Sequence, residues 1–273
     1  MRVAVVTGAT QGLGFALAEE LARQLDAGDV VYLTGRNPVR LKEIAEGLDP
    51  RIRTMLLDVS DSDSVDAAAA TVRERHGGVD IVFGNAVMRI GPEDDMRELV
   101  DEYANVNNFG TTRVLRAFAP LLRDNGRLIV VASSLGTLSY VAPVLHTRFE
   151  RPESLAEVDA EVAKWRDAVR DGSARGGAWP GFVNIPSKVF QVAAVRTLAR
   201  QRREEDLARG ILVAAVCPGM LNTPTSAAWW DVSDAATPAQ AAGPLVRLVT
   251  EPVRPEQYGE LIRDGQVLPW RPE

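Results

Sequence analysis

The sequence has few cysteines and histidines and no long apolar run, which argues against disulfide-stabilised, metal-binding and membrane-spanning proteins. Its 273 residues include one cysteine, Cys217, and only two histidines. A single cysteine excludes an internal disulfide and is typical of a reducing cytosolic environment. So few sulfur and imidazole groups also leave no metal-ligand cluster, and we expect no bound metal. No run of about 18 or more apolar residues is present, so the sequence predicts no membrane-spanning helix.

The charge balance narrows the choice of partners. The net charge is −6, whereas a nucleic-acid partner would need a basic face for its phosphates. Met1-Arg2 leads directly into an apolar run, which is not the pattern of a secretory leader. Hydrophobic residues make up 46% of the chain, enough for one well-cored domain of this length. We therefore expect a cytoplasmic protein with a single domain over residues 1–273 and a small-molecule ligand.

Short apolar runs rich in β-branched residues alternate with helical patterns along the chain. This alternation predicts an α/β fold, a doubly wound parallel sheet with helices on both faces. Ligands of such sheets bind at the carboxyl ends of the strands. Residues 239–249 and 258–270 would add a final helix and a last short strand. The six predicted strands are Val3–Val6, Val30–Thr34, Thr54–Leu57, Val79–Phe83, Arg127–Ala132 and Ile211–Val216.

A glycine-rich turn between the first strand and a helical pattern has a specific use. Glycine lets the backbone approach a diphosphate closely, and the N–H groups of a helix's first turn attract negative charge. The glycines at 8, 12 and 14 are spaced more widely than in G-x-G-x-x-G. The turn nevertheless predicts a dinucleotide site. Its contributing residues are Gly8, Thr10, Gln11, Gly12, Leu13 and Gly14.

Residues at the ends of the next strands suit the rest of a dinucleotide. Arg36 follows the second strand, where an arginine matches a 2′-phosphate and so favours NADPH; the alternative is a solvated surface arginine. Asp58, beside Val59, would accept from the adenine amino group or would instead cap the next helix. Asn85-Ala86 ends the fourth strand and would lie along the cofactor's ribose.

Further polar positions follow the later strands. Asn107 falls within a helical pattern, where asparagine is a poor helix former unless its amide has a local role. Ser134 follows the fifth strand and Lys188 opens the next helical pattern. The sixth strand is followed by Pro218, Gly219 and Thr223.

These motifs, in this order over nearly the whole chain, resemble the short-chain dehydrogenase/reductase family. The chain is most similar to the monomeric carbonyl reductases within it, through Phe109-Gly110-Thr111, Ala178-Trp179-Pro180 and Cys217-Pro218-Gly219. The resemblance implies a Rossmann-type domain, NADPH as cofactor and a monomer. It also implies that Ser134, Lys188 and Asn107 are catalytic. Lys188 would hold the nicotinamide ribose, and Asn107 would hold the lysine through a water molecule.

One position departs from the family pattern. The family carries Tyr-x-x-x-Lys, in which the tyrosine protonates the carbonyl oxygen, but the residue four before Lys188 is Asn184. A neutral carboxamide has no proton of usable pKa to donate. Asn184 would therefore bind the substrate oxygen rather than protonate it. A smaller departure is Gln11, where such reductases often carry a basic residue.

The missing acid favours a particular substrate class. Hydride transfer to a ketone leaves an alkoxide whose conjugate acid has a pKa near ~16, whereas a quinone leaves a phenolate whose conjugate acid lies near ~10. The difference of roughly six pKa units corresponds to about 8 kcal/mol. A quinone-like aromatic polyketide could thus accept hydride with hydrogen bonds from Ser134 and Asn184 alone. A partner oxygenase could then consume the reduced aromatic.

Other interpretations stay open at the level of sequence. The chain could be a catalytically retired, cofactor-binding scaffold, or Asn184 could be an engineered replacement of tyrosine. It could also be a conventional ketone reductase with Tyr140 or His146 as a substitute acid; each is otherwise a packing residue. Three tryptophans either stack on a flat substrate at the mouth of the site or are ordinary buried aromatics: Trp179, Trp229 and Trp230.

A long segment, residues 137–183, interrupts the alternation of strands and helices. Its middle part, Ser154–Val169, has the spacing of an amphipathic helix, and its end is rich in glycine. Insertions of this length in a compact domain are usually lids or small subdomains. We therefore expect a lid that also covers the face through which other family members associate.

Overall fold

The computed structural model describes residues 1–272. One sheet of eight strands has the order β3-β2-β1-β4-β5-β6-β7-β8. Its strands are parallel except for the antiparallel pair β7–β8. The predicted α/β doubly wound fold is therefore confirmed. The strands are β1 (Val3–Val6), β2 (Val30–Gly35), β3 (Ile52–Leu56), β4 (Val79–Gly84), β5 (Leu122–Val131), β6 (Leu212–Val216), β7 (Leu261–Arg263) and β8 (Gln266–Leu268).

Helices cover both faces of the sheet. Helix α1 packs against α10 in one group, and α3, α5 and α8 pack together in the other. Strands β1, β2 and β6 are buried at every position, as their β-branched and small apolar residues predict for central parallel strands. The helices are α1 (Gly12–Gln24), α2 (Pro38–Ala45), α3 (Ser62–His76), α4 (Met96–Ala104), α5 (Gly110–Phe118), α6 (His146–Glu150), α7 (Leu155–Asp171), α8 (Asn184–Ala208), α9 (Pro224–Ala227) and α10 (Pro238–Thr250).

The strand order reverses direction at β1, which pairs with β2 on one side and with β4 on the other. The connections from these neighbouring strands leave in opposite directions, and a crevice opens at their carboxyl ends. Helices α4 and α5 are joined without a break by a π-helical turn, Asn105–Phe109. Such turns are common at functional sites because they disturb the regular hydrogen-bond ladder. Both features place irregular backbone at one edge of the sheet.

The long segment of residues 137–183 contains α6 and α7. Helix α7 has the predicted amphipathic character, and Gly172, with φ of +83°, ends it. It packs against α4 and α8, and Arg166 and Arg170 form ion pairs with Asp101 of α4. The helix thus lies on neighbouring helices rather than over the crevice. Its buried side chains are Leu155, Val158, Val162 and Trp165.

The chain ends in a helix and a short hairpin. Helix α10 is followed by β7 and β8, two strands where the sequence predicted one. Asp264 and Gly265, both with positive φ, form the turn between them. Over residues 1–272, no helix is long and apolar enough to cross a bilayer, and no cluster of histidine, cysteine and acidic side chains could hold a metal ion.

Candidate active site

A groove of about 390 Å³ opens at the carboxyl ends of the central strands. It brings together nearly all the positions at which the sequence predicted a dinucleotide. Gly219 follows the lining residue Pro218 in a left-handed turn, with φ of +80°, but is not itself part of the lining. The predicted residues that line the groove are Gly8, Thr10, Gln11, Gly12, Leu13, Gly14, Arg36, Asp58, Val59, Asn85, Ala86, Lys188, Pro218 and Thr223.

The glycine turn is held tightly against the end of β4. A Cβ atom on Gly8 would lie 2.6 Å from the Cα of Ala86, and one on Gly14 would lie 2.5 Å from Nδ2 of Asn85. The Asn85 side-chain amide donates to the backbone carbonyls of Thr7, at 3.0 Å, and of Gly8. Glycine is required at both positions because the neighbouring strand comes so close. Asn85 therefore stabilises the shape of the turn in addition to lining the groove.

The N-terminus of α1 faces this groove without a side-chain cap. Gln11, the residue before the helix, forms no capping hydrogen bond. The N–H groups of the first turn are left to a ligand, and the helix dipole favours an anion there. Arg89, in the segment after β4, also lines the groove, and its Nη2 lies 3.5 Å from where a Cβ on Gly12 would be. Arg89 thus supplies to the glycine turn the positive charge that Gln11 does not carry.

At the other end of the groove, Arg36 is accessible for binding. Its side chain is 65% exposed, and the carboxylate of Glu102 lies 3.8 Å away, in a weak pair. Asp58 lines the groove, but its Oδ1 already accepts from the backbone N–H and hydroxyl of Ser60. Helix α3 is capped by Asp61, so Asp58 is not its cap. The arrangement suits a phosphate beside Arg36.

A second cavity of about 190 Å³ adjoins the groove. Lys188 and Arg89 line both spaces, together with Thr225 and Ser226. The aromatic side chains of the second cavity form a cluster. The ring centroid of Phe182 lies 5.1 Å from that of Trp229 and 6.3 Å from that of Trp230. Two of the predicted tryptophans therefore lie at the site, joined by Phe182 from the end of the long segment.

Lys188 is held by a side chain that the sequence analysis did not identify. Its Nζ donates to Oε1 of Gln191 at 2.8 Å, and Nε2 of Gln191 donates to the carbonyl of Asn107 at 2.8 Å. Gln191 thus links Lys188 directly to the carbonyl of Asn107. The π-helical turn explains this, because it leaves the Asn107 carbonyl available inside the fold. Burial lowers the pKa of Lys188 to about 8, although nearby Cys217 opposes the shift.

The amide of Asn107 has a separate local role. Its Oδ1 accepts from the backbone N–H of Met88 at 2.7 Å, and its Nδ2 donates to the carbonyl of Met88. The side chain thereby fixes the segment that separates the groove from the aromatic cavity. This is the kind of local role that an asparagine within a helical pattern predicted.

Asn184 begins α8 and lines the aromatic cavity, where it is paired with a buried tyrosine. The hydroxyl of Tyr103, on α4, donates to Oδ1 of Asn184 at 3.0 Å. Tyr103 is 1% exposed. Burial raises its pKa to about 12, and the neighbouring polar side chains of Ser187 and Asn107 act in the opposite direction. Its spacing of four residues from Asn107, one helical turn, was the available signal for this residue.

Several predicted residues lie elsewhere. Tyr140 is 45% exposed, and His146 bonds the carbonyl of Val141; neither lines the groove or the aromatic cavity, so neither is placed to act as an acid. Trp179 packs against Phe149 and Phe190 rather than at the mouth of the site, because the core of α8 supplies an apolar surface for it. Ser134 is half-buried in the turn after β5, which packs against α8, and is outside the lining of both spaces.

Comparison with known proteins identifies similar chains. A sequence profile of the short chain dehydrogenase family matches residues 2–144. Carbonyl reductase [NADPH] 3 of Mus musculus is 31% identical over 98% of both chains. Carbonyl reductase [NADPH] 1 of Sus scrofa is 32% identical over 98% of this chain and 94% of its own. Menthone neomenthol reductase from Mentha piperita, at 23% identity, superposes with a TM-score of 0.74 over 97% of this chain and 99% of its own.

Proposed function

The chain belongs to the short chain dehydrogenase family, and we propose that it is an NADPH-dependent reductase of quinone-like aromatic compounds. One observation carries the choice of substrate: the side chain four residues before Lys188 is the amide of Asn184, in the lining of an aromatic cavity next to the dinucleotide groove. The family supports reduction of a carbonyl group, and the substrate class is inferred from the site.

The groove fits NADPH. The uncapped N-terminus of α1 and the nearby guanidinium of Arg89 would bind the diphosphate, and Arg36 would bind the 2′-phosphate. Lys188, where the groove meets the second cavity, would hold the nicotinamide ribose. When bound, NADPH supplies a hydride. The carbonyl reductases that this chain resembles are named for the same cofactor, NADPH.

Asn184 replaces a proton donor with a hydrogen-bond donor. An amide N–H stabilises an oxyanion but does not transfer its proton at neutral pH. The site therefore suits a product that is stable as an anion, and the phenolate of a reduced quinone is favoured over an alkoxide by about 8 kcal/mol. Water protonates the product later. Ser134, in the turn after β5, lies outside the lining of both spaces, so the oxyanion is assigned here to Asn184.

The second cavity supports a flat substrate. Phe182, Trp229 and Trp230 present aromatic surface, and rings of this kind pack favourably on polycyclic aromatic ligands. Trp229 donates its Nε1–H to the carbonyl of Ile90, which fixes its ring. We also propose that the protein is a monomer, because α7 covers α4. A stable tetramer in sedimentation would contradict this.

The substrate class is tested by anaerobic oxidation of NADPH, with a hydroxynaphthoquinone and an aryl ketone of similar size assayed side by side. We expect turnover of the quinone and none of the ketone. Equal turnover of both would require an acid at the site and would contradict the role given to Asn184. Tight NADPH binding without turnover of either compound would support a retired, cofactor-binding protein instead.

A further inference from the structure

We propose that Tyr103 is a positioning residue that orients the Asn184 amide so that its NH2 group faces the substrate oxygen. This inference rests on the proposed function, because it specifies how the same site binds the substrate. It starts from the 3.0 Å hydrogen bond between the Tyr103 hydroxyl and Oδ1 of Asn184. Both residues line the aromatic cavity together with Lys188.

The hydrogen bond determines which end of the amide is available. A carboxamide has an oxygen that accepts and an NH2 group that donates. Because Oδ1 of Asn184 accepts from Tyr103, the NH2 group is the part left for a ligand in the cavity. A rotation of the amide by half a turn would present the oxygen lone pairs instead, and these would repel an anionic product.

The phenol of Tyr103 keeps its role as donor. It is 1% exposed, and its pKa of about 12 keeps it protonated across the physiological range. A protonated hydroxyl that donates to Oδ1 favours one orientation of the amide. The same burial makes Tyr103 a weaker acid than an ordinary tyrosine, so it is suited to orienting Asn184 and not to supplying a proton.

The two helices that carry the pair are fixed relative to one another. Next to it, Ser187 of α8 donates to Oδ1 of Asn108 at 3.0 Å, and Nδ2 of Asn108 donates to the carbonyl of Ser187 at 2.9 Å. Helix α4 is also covered by α7. The first turn of α8 is therefore attached to the segment of α4, π-helical turn and α5 by two polar pairs. Tyr103 is part of this rigid support.

A double-mutant cycle tests the inference. We expect Tyr103→Phe to lower kcat for the quinone about tenfold and to leave the Kd for NADPH unchanged, and Asn184→Ala to lower kcat about 100-fold, the scale of a lost oxyanion donor. The double variant should match Asn184→Ala, because Tyr103 acts through Asn184. Tyr32→Phe is the matched control, since Tyr32 is equally buried, loses one hydrogen bond, to His76, and lies outside both cavities.

Additive losses in the double variant would overturn the inference, because they would mean that Tyr103 acts independently of Asn184, as a structural residue or as an acid. Wild-type kcat in Tyr103→Phe would overturn it as well. The same cycle is repeated without turnover, by calorimetric titration of a naphtholate into the complex with NADP⁺. If the wild type reduces no quinone but the losses in naphtholate affinity are non-additive, the proposed function fails and the role of Tyr103 stands.

Discussion

Replacing Lys188 with methionine should make the cofactor-free protein more stable at neutral pH while it weakens the binding of NADPH. The ammonium group of Lys188 lies beside Gln191 and 3.4 Å from the carbonyl of Val131 at the end of β5, and burial lowers its pKa from 10.5 to about 8. This difference corresponds to about 3 kcal/mol by which the fold disfavours the charged form. At pH 7, Lys188 is charged in both the folded and the unfolded chain, so this whole amount is subtracted from the free energy of unfolding. Methionine has similar length and no charge.

The pH dependence gives the sign of the effect. Between pH 8 and 10.5 the unfolded chain binds more protons at this position than the folded chain, so the wild type gains stability as pH rises. The variant has no such group. At pH 7 we expect Lys188→Met to be more stable by about 2 kcal/mol, after about 1 kcal/mol is subtracted for the hydrogen bond to Gln191. By pH 10.5 the advantage should have reversed to a deficit of about 1 kcal/mol.

Urea unfolding of both proteins at pH 7 and at pH 10.5, without cofactor, measures this difference. Lys42→Met is the control, because Lys42 is exposed on α2 and should change little at either pH. A loss of stability in Lys188→Met at pH 7, or a difference that does not vary with pH, would refute the reasoning. In the same variant the Kd for NADPH should rise, since the group that holds the ribose is gone.

Three further variants test the groove and its support. Arg36→Ala should raise the Kd for NADPH about 30-fold, the value of a charge-assisted hydrogen bond of about 2 kcal/mol, and leave that for NADH unchanged; equal loss for both would place the 2′-phosphate elsewhere. Arg89→Ala should instead weaken both cofactors equally, by about tenfold, and a loss confined to NADPH would contradict its place beside the diphosphate. Gln191→Leu should lower the free energy of unfolding by about 2 kcal/mol, because Lys188 and Asn107 each lose a partner; unchanged urea unfolding would show that the bridge does not form.

The parts of this site that the sequence predicted are those set by local pattern. The glycine turn, Arg36 and Asn85 follow directly from β1, β2 and β4, and the carboxyl ends of parallel strands always meet at one edge of the sheet. Their position in the chain is therefore enough to place them in the groove. The amphipathic spacing of α7 is likewise a local signal.

The residues that the sequence did not reveal depend on contacts between distant segments. Gln191 matters because a π-helical turn leaves the Asn107 carbonyl available to it, and Tyr103 matters because α4 meets the first turn of α8. In the sequence, the helical pattern does not distinguish Gln191 or Tyr103 from its other residues. Trp179 shows the reverse case: an aromatic residue in a long insertion has the same pattern whether it packs on α8, as it does here, or faces a ligand.

The proposed function requires that hydride transfer at this site proceed without a proton from the protein. Isotope effects on quinone reduction test it most directly, with NADPH deuterated at the transferred position in H2O and in D2O. We expect the deuterated cofactor to lower kcat/KM and D2O to leave it unchanged, because Asn184 donates a hydrogen bond but no proton. A solvent isotope effect on the same step as the cofactor effect would show that a proton is transferred together with the hydride and would contradict the role given to Asn184.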